Sequence, residues 1–399
     1  MLESYPLITA IVISVVAAFL LGMLANRLRL PTILGYLLAG ALLGPNTPGF
    51  IADINIAEQL AEIGVILLMF GVGLHFSVKD LVRVQRIALP GAVIQMSLTS
   101  AFCLMVAMLL GHGFAESLVF GITLSVASTV VLLRALEQYK LSDSAVGKVA
   151  VGWLIVEDIA MVVVLVLLPV FADMSSKGEA LNSHIIFEAI FLVLLKISAF
   201  VMVMMVFGRR ILPKLLVVIA KTKSRELMSL GILAIASGFA FVAYTLFGTS
   251  FALGAFMAGF VLNGSEIGKK SADKSLPLRD IFSVLFFVSA GMLFNPSVIT
   301  KEPLLIMTAV LLVVVGKSII SFFIMRLFRQ GFYNALILAV SLAQIGEFSF
   351  ILAAISLKLT IFSQIIYDMV IASAIISITI NPFLFKWAKR FKPQVQNQN

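Results

Sequence analysis

The chain has 399 residues, of which 61% are hydrophobic and 12% charged, and its mean hydropathy is +1.11. A water-soluble domain of this length cannot hide so much apolar surface, so a bilayer is the implied solvent; the lack of strand-type alternation argues against an outer-membrane barrel. A net charge of +9 would point to nucleic acid in a soluble protein, but the basic residues here stand at the ends of apolar runs and set orientation, so no nucleic-acid partner is expected.

In chain order, the apolar runs predict thirteen transmembrane helices near residues 6–26, 31–45, 57–76, 87–111, 114–134, 146–171, 185–207, 226–247, 250–264, 281–295, 303–325, 333–356 and 361–385. Met1–Pro6 lacks a basic leader, so the first run reads as a retained span. Breakers separate several spans: Gly44 to Gly49, Asn295-Pro296, and Gly208 ahead of Arg209-Arg210. The second, ninth and tenth spans are short and Gly-rich.

Basic residues test the count. With the N-terminus outside and the C-terminus cytoplasmic, the inner segments carry most of the 29 Lys and Arg residues, among them Arg27, Arg86, Lys148, Lys270, Arg329 and Lys389. The outer segments carry only Lys177, Lys301 and Lys358, and Lys196 and Lys317 lie inside spans. The loop at 208–226 holds six basic residues, and six spans stand on each side of the seventh. An odd linker between equal sets inverts one set against the other, as in inverted six-helix repeats.

A charge at bilayer depth is costly and needs a reason. The sixth span holds adjacent Glu157 and Asp158, and the eleventh holds Lys317. Neighbouring helical residues point about 100° apart, so the two acids cannot share one partner. One lysine leaves one carboxylate over, and a bare carboxylate out of water takes either a proton or a cation. The rival reading is a purely structural ion cluster.

Two segments read as broken helices. The first is Thr123–Val130, where Ser125, Ser128 and Thr129 could offer oxygens to a cation; ordinary packing by small residues is the alternative. The second is Ser341–Ser349, with Gln344, Gly346 and Glu347. Weaker candidates are Lys196, read as snorkelling or pairing with Glu188; Glu58 and Glu62 at the outer start of the third span; and Asp368, read as interfacial. Gly71-Val72-Gly73 reads as helix packing, and His75 has no assigned role. Cys103 is the single cysteine and the three histidines are scattered, so neither a disulfide nor a metal site is expected.

The segments Leu67–Leu74, Ser125–Leu133, Trp153–Ala160, Leu253–Gly259, Leu285–Met292 and Gln344–Phe348 together resemble the Kef-type (YbaL-like) monovalent cation/proton antiporters, of the cation/proton antiporter superfamily. The resemblance runs over essentially all 399 residues. It implies an all-α polytopic antiporter fold of the NhaA/NapA type and a homodimer in the bacterial inner membrane. Residues 1–86 and 208–295 would supply the dimerisation helices, 87–171 and 303–385 a mobile core working as an elevator, and 185–207 the linker. It further implies that cation and proton are bound by Asp158, the key carboxylate, with Glu157, Ser125, Ser128 and Thr129, that Glu157 pairs with Lys317, and that Ser125, Ser128 and Thr129 match one broken crossover helix while Gln344, Gly346 and Glu347 match its partner. Full Kef-type chains continue into a cytosolic nucleotide-binding regulatory domain, which would be a partner outside residues 1–399. No cofactor is implied. The substrates would be a proton and potassium, with sodium open because Glu157 departs from the Gln of glutathione-gated members. A cation channel is the rival class, but no filter sequence is present.

Overall fold

The computed structural model describes residues 6–47, 54–75, 78–141, 144–176, 191, 195–196, 198–247, 251–263 and 266–391. Among these, regular structure is helical throughout. In order, the helices are α1 (Pro6–Arg27), α2 (Thr32–Leu43), α3 (Ile54–His75), α4 (Val78–Leu109), α5 (Phe114–Ser125), α6 (Thr129–Gln138) and α7 (Ala145–Ser176). After a π-helical turn at Met204–Gly208 come α8 (Arg209–Lys221), α9 (Arg225–Phe247), α10 (Phe251–Asn263), α11 (Glu266–Leu293) and the single turn α12 (Val298–Lys301). The last part holds α13 (Pro303–Leu311), a π-helical segment Leu312–Lys317, α14 (Ser318–Leu327), α15 (Phe332–Ser341), α16 (Glu347–Lys358) and α17 (Gln364–Ala388). Among the described residues, six stretches, in α1, α4, α7, α9, α13–α14 and α17, are long and apolar enough to cross a membrane.

Two departures from the sequence expectations have the same cause: charge does not stop a helix. The basic loop expected at 208–226 is largely α8, which buries Leu212 and Leu216 and turns Arg209, Arg210 and Lys221 outward. It runs on without a break from the helical residues 198–208, so the helix of the seventh run continues into the basic segment. The tenth span is the apolar end of α11, whose helix already begins at Glu266. The seventh expected span falls partly outside the described residues, and 198–207 are helical. Glu188 is outside them too, and Lys196 is exposed. Nothing is described of the side chains of Glu58 and His75.

Helix packing forms two groups. In one, α3 packs on α10 and α11, α2 on α1 and α11, and α9 on α10. In the other, α4 packs on α5 and α7, α14 on α15, and α17 on α13 and α15. In the first group the α3–α10 contact is set by Gly73 and Gly259: each lies against a backbone carbonyl of the other helix, Phe256 and Phe70 respectively, so neither has room for a Cβ. At one end of the bundle, contacts link the groups. Lys358 of α16 donates to Glu62 of α3 at 2.7 Å, and Gln364 of α17 donates to the Leu293 carbonyl of α11 at 3.0 Å. Asp368 is buried in that link: its Oδ1 accepts the Asn295 N–H at 2.9 Å, because the chain leaving α11 needs an acceptor there.

Candidate functional site

Both hydroxyl- and glycine-containing segments are broken. α5 ends at Ser125, Val126 is extended (φ −96°, ψ 141°), and α6 starts at Thr129. α15 ends at Ser341, Gly346 is extended (φ −99°, ψ 171°), and α16 starts at Glu347. Each break leaves carbonyl ends and amide ends inside the protein, where they must find partners.

The two breaks cross and satisfy one another. The Gln344 side chain bonds Ser128 in both directions: the Ser128 N–H donates to Oε1 at 3.0 Å, and Nε2 donates to the Ser128 carbonyl at 3.2 Å. Gly346 lies against the Ala127 carbonyl, with no space for a Cβ. Ser349 Oγ donates to the Thr123 carbonyl at 2.6 Å.

Lys317 is fully buried and reaches the crossing from the end of the π-helical segment. Its Nζ donates to the carbonyls of Leu124 (3.3 Å), Val126 (3.1 Å) and Gln344 (2.8 Å). A cation is favoured there because helix C-termini present partial negative charge. Glu157 is near enough to interact with Lys317, but the two form no direct ion pair. The carbonyl ends of the break stand between them and claim the ammonium.

The carboxylates sit at the amide ends. Glu157 is fully enclosed, and its Oε2 accepts the Ala127 N–H at 2.8 Å. Asp158 keeps 8% exposure; its Oδ2 accepts Thr129 Oγ1 at 3.3 Å and its Oδ1 has no partner. Glu347 opens α16, and with Glu157 it is a charged neighbour of Asp158. Three carboxylates therefore gather at two helix N-termini, with one ammonium on the opposite ends. That distribution matches the helix dipoles and still leaves negative charge in excess.

Of the three hydroxyls named from sequence, Thr129 touches Asp158. Ser128 Oγ caps α6 by accepting the Val131 N–H at 3.2 Å, and Ser125 Oγ donates to its own helix at Ile122. Sequence reasoning missed Gln95, whose Nε2 donates to the Ser125 carbonyl at 3.0 Å while Oε1 accepts Trp153 Nε1 at 3.2 Å. It also missed Asn381, which donates to the Val340 carbonyl at 2.7 Å, near the end of α15. The available signal was a single amide inside an apolar run, which must find a partner when buried.

Residues 14–389 match the sodium/hydrogen exchanger family, transmembrane. The chain belongs to that family. This exchanger is similar to YbaL of Escherichia coli (strain K12), a cation/proton antiporter by name, with 50% identity over 386 residues, 97% of this chain and 69% of that protein. It is also similar to K(+) efflux antiporter 4 of Arabidopsis thaliana, 31% identical over 382 residues, 95% of this chain and 63% of that one. Its fold is that of the sodium proton antiporter MjNhaP1 from Methanocaldococcus jannaschii, with a TM-score of 0.71 at 16% identity, covering 96% of this chain and 98% of that one. The exchanger is thus a multi-pass membrane protein of the cation/proton antiporter superfamily, and its relatives are transporters, not enzymes.

Proposed function

We propose that this chain exchanges potassium for protons across a bacterial inner membrane, with Asp158 taking either ion in turn. One observation carries the reading: Asp158 has one oxygen held by Thr129 and the other without a partner, where the two helix breaks meet. A proton arriving at Asp158 neutralises it and releases the cation; loss of that proton restores a carboxylate that binds the next cation. Thr129 and the amide end of α6 orient and partly offset the charge. Glu157 and Lys317 hold the break in shape without binding the transported ion.

Potassium is favoured by the names of the plant relatives, and sodium is the second reading because the structurally similar archaeal protein is named for sodium. The two packing groups suit an elevator, with α4–α7 and α13–α17 moving against a scaffold of α1–α3 and α8–α11 that would also form the homodimer interface. Thirteen spans as inverted six-helix repeats, with the N-terminus outside, complete the proposal; the crossed breaks in α5–α6 and α15–α16 support the repeat. A cytosolic nucleotide-binding domain is the proposed regulatory partner of the membrane domain.

The test is cation-induced dissipation of a preset pH gradient in proteoliposomes, with potassium and sodium added separately and Asp158→Asn run alongside. Collapse by potassium with a silent, folded variant is expected. Wild-type exchange by Asp158→Asn would overturn the role of Asp158, and a response to sodium alone would replace the cation.

A further inference from the structure

At the end of the bundle opposite the Lys358–Glu62 contact, α6 and α17 finish and α15 begins, and a cavity of about 240 Å³ opens between them. Its rim carries Lys140 and Lys389, its sides Tyr139 and Tyr333, and its floor the buried Ile337 and Phe385. None of these residues belongs to the helix crossing. Tyr139 is fixed in place: its ring stacks on Phe385 (5.5 Å between centroids, 9° between planes), and its hydroxyl donates to the Pro382 carbonyl at 3.4 Å. Lys389 lies 5.3 Å from the centre of the Tyr139 ring, a cation–π contact that holds the ammonium at the mouth.

The chemistry left open in this cavity is one-sided. Among the described residues no carboxylate pairs with either lysine, and the Tyr333 hydroxyl makes no hydrogen bond. The first turn of α15, which carries Tyr333, has no side-chain cap, so a helix N-terminus adds partial positive charge on the same side. Two ammoniums, a phenol and a helix N-terminus over an apolar floor suit a phosphate attached to an apolar body.

The depth of the cavity names the source of that phosphate. An exposed aromatic patch stands at this end: Trp387 packs on Phe391 at 5.3 Å and Phe391 on Phe332 at 6.0 Å, with all three open to the surroundings. An exposed tryptophan beside the basic ends of helices suits the headgroup level of a bilayer. We infer that the cavity between α6, α15 and α17 binds the phosphate headgroup of an anionic phospholipid, held by Lys140, Lys389 and Tyr333 with the acyl chains leaving past the aromatic patch. On the orientation proposed above this is the cytoplasmic leaflet, and the bound lipid would ride on the moving group.

The test titrates the purified full chain, in uncharged detergent, with phosphatidylglycerol or phosphatidylcholine and reads binding by native mass spectrometry. Needing no ion gradient, it can fail independently of the transport reading. Phosphatidylglycerol is expected to bind more tightly, and each lysine removed should weaken it roughly fivefold, in Lys389→Gln and further in Lys140→Gln/Lys389→Gln. Tyr333→Phe is the mild variant that keeps the fold and should also weaken binding. Equal binding of the two lipids, or a preference unchanged in all three variants, would overturn the site. Binding of inorganic phosphate, lost in the lysine variants, together with no preference between the two lipids would overturn the lipid source and assign the cavity to a free phosphate.

Discussion

Lys317 and Glu157 hold the two ends of one peptide group. The Val126 carbonyl accepts Lys317 Nζ at 3.1 Å, and the N–H of the same peptide, on Ala127, donates to Glu157 Oε2 at 2.8 Å. The ion pair is spread across a backbone dipole, which pins the extended segment between α5 and α6. Lys317→Met strands three buried carbonyls and leaves Glu157 without its counter-charge, so it is expected to cost about 3–5 kcal/mol. Adding Glu157→Gln should recover part of the loss, since the two residues act on one group. Thermal unfolding of both variants in detergent checks this.

Thr129→Val keeps the volume and removes the hydroxyl that meets Asp158 Oδ2. A hydrogen bond to a charged group contributes about 1.5–3 kcal/mol, so the KM for the cation should rise roughly tenfold or more. Stability should change little. Titrating proteoliposome exchange against cation concentration gives the answer; an unchanged KM would remove Thr129 from the binding site.

Gly346→Ala places a methyl on the Ala127 carbonyl, backbone against backbone. No rotamer change relieves that contact, so the crossing must spread. The expected loss is about 1–3 kcal/mol with exchange abolished. The same substitution at the open Gly331 should leave both unchanged.

The exposed Lys358–Glu62 pair contributes under about 1 kcal/mol to stability, yet it joins α16 to α3 across the two packing groups. Cysteines at both positions, in a Cys103→Ser background, should be bridged by a short bis-thiol reagent. On the elevator reading the bridge stops exchange while fold and detergent stability remain. Full exchange by the bridged protein would rule out relative movement of those helices.

Hydropathy exposed the long helices, and polar residues at bilayer depth exposed the crossing, because both depend on local composition. Ser125–Thr129 and Gln344–Glu347 were legible since hydroxyls, an amide and a glycine interrupt runs that are otherwise apolar. The targets of those side chains were not. Nothing in the sequence says that Lys317 binds carbonyls instead of Glu157, as helix termini become acceptors only once two breaks are brought together. Gln95 and Trp153 are separated along the chain and meet only through the packing of α4 on α7. Helix ends near Arg29, Lys140 and Arg329 carry no local glycine signal: each of these residues takes positive φ, near 60°, 54° and 58°, where glycine is usual, and at Arg29 and Arg329 it was the fall in hydropathy that marked the end.

The π-helical segment Leu312–Lys317 carries one more residue than an α-helical turn would hold, and its wider turn absorbs that surplus. Deleting Val314 would return the segment to regular α-helix and leave Lys317 on nearly the same side of the span, because the wide turn advances less per residue than the α-helix's roughly 100°. The ammonium would stay at the crossing, so this stretch can lose a single codon where a regular helix could not.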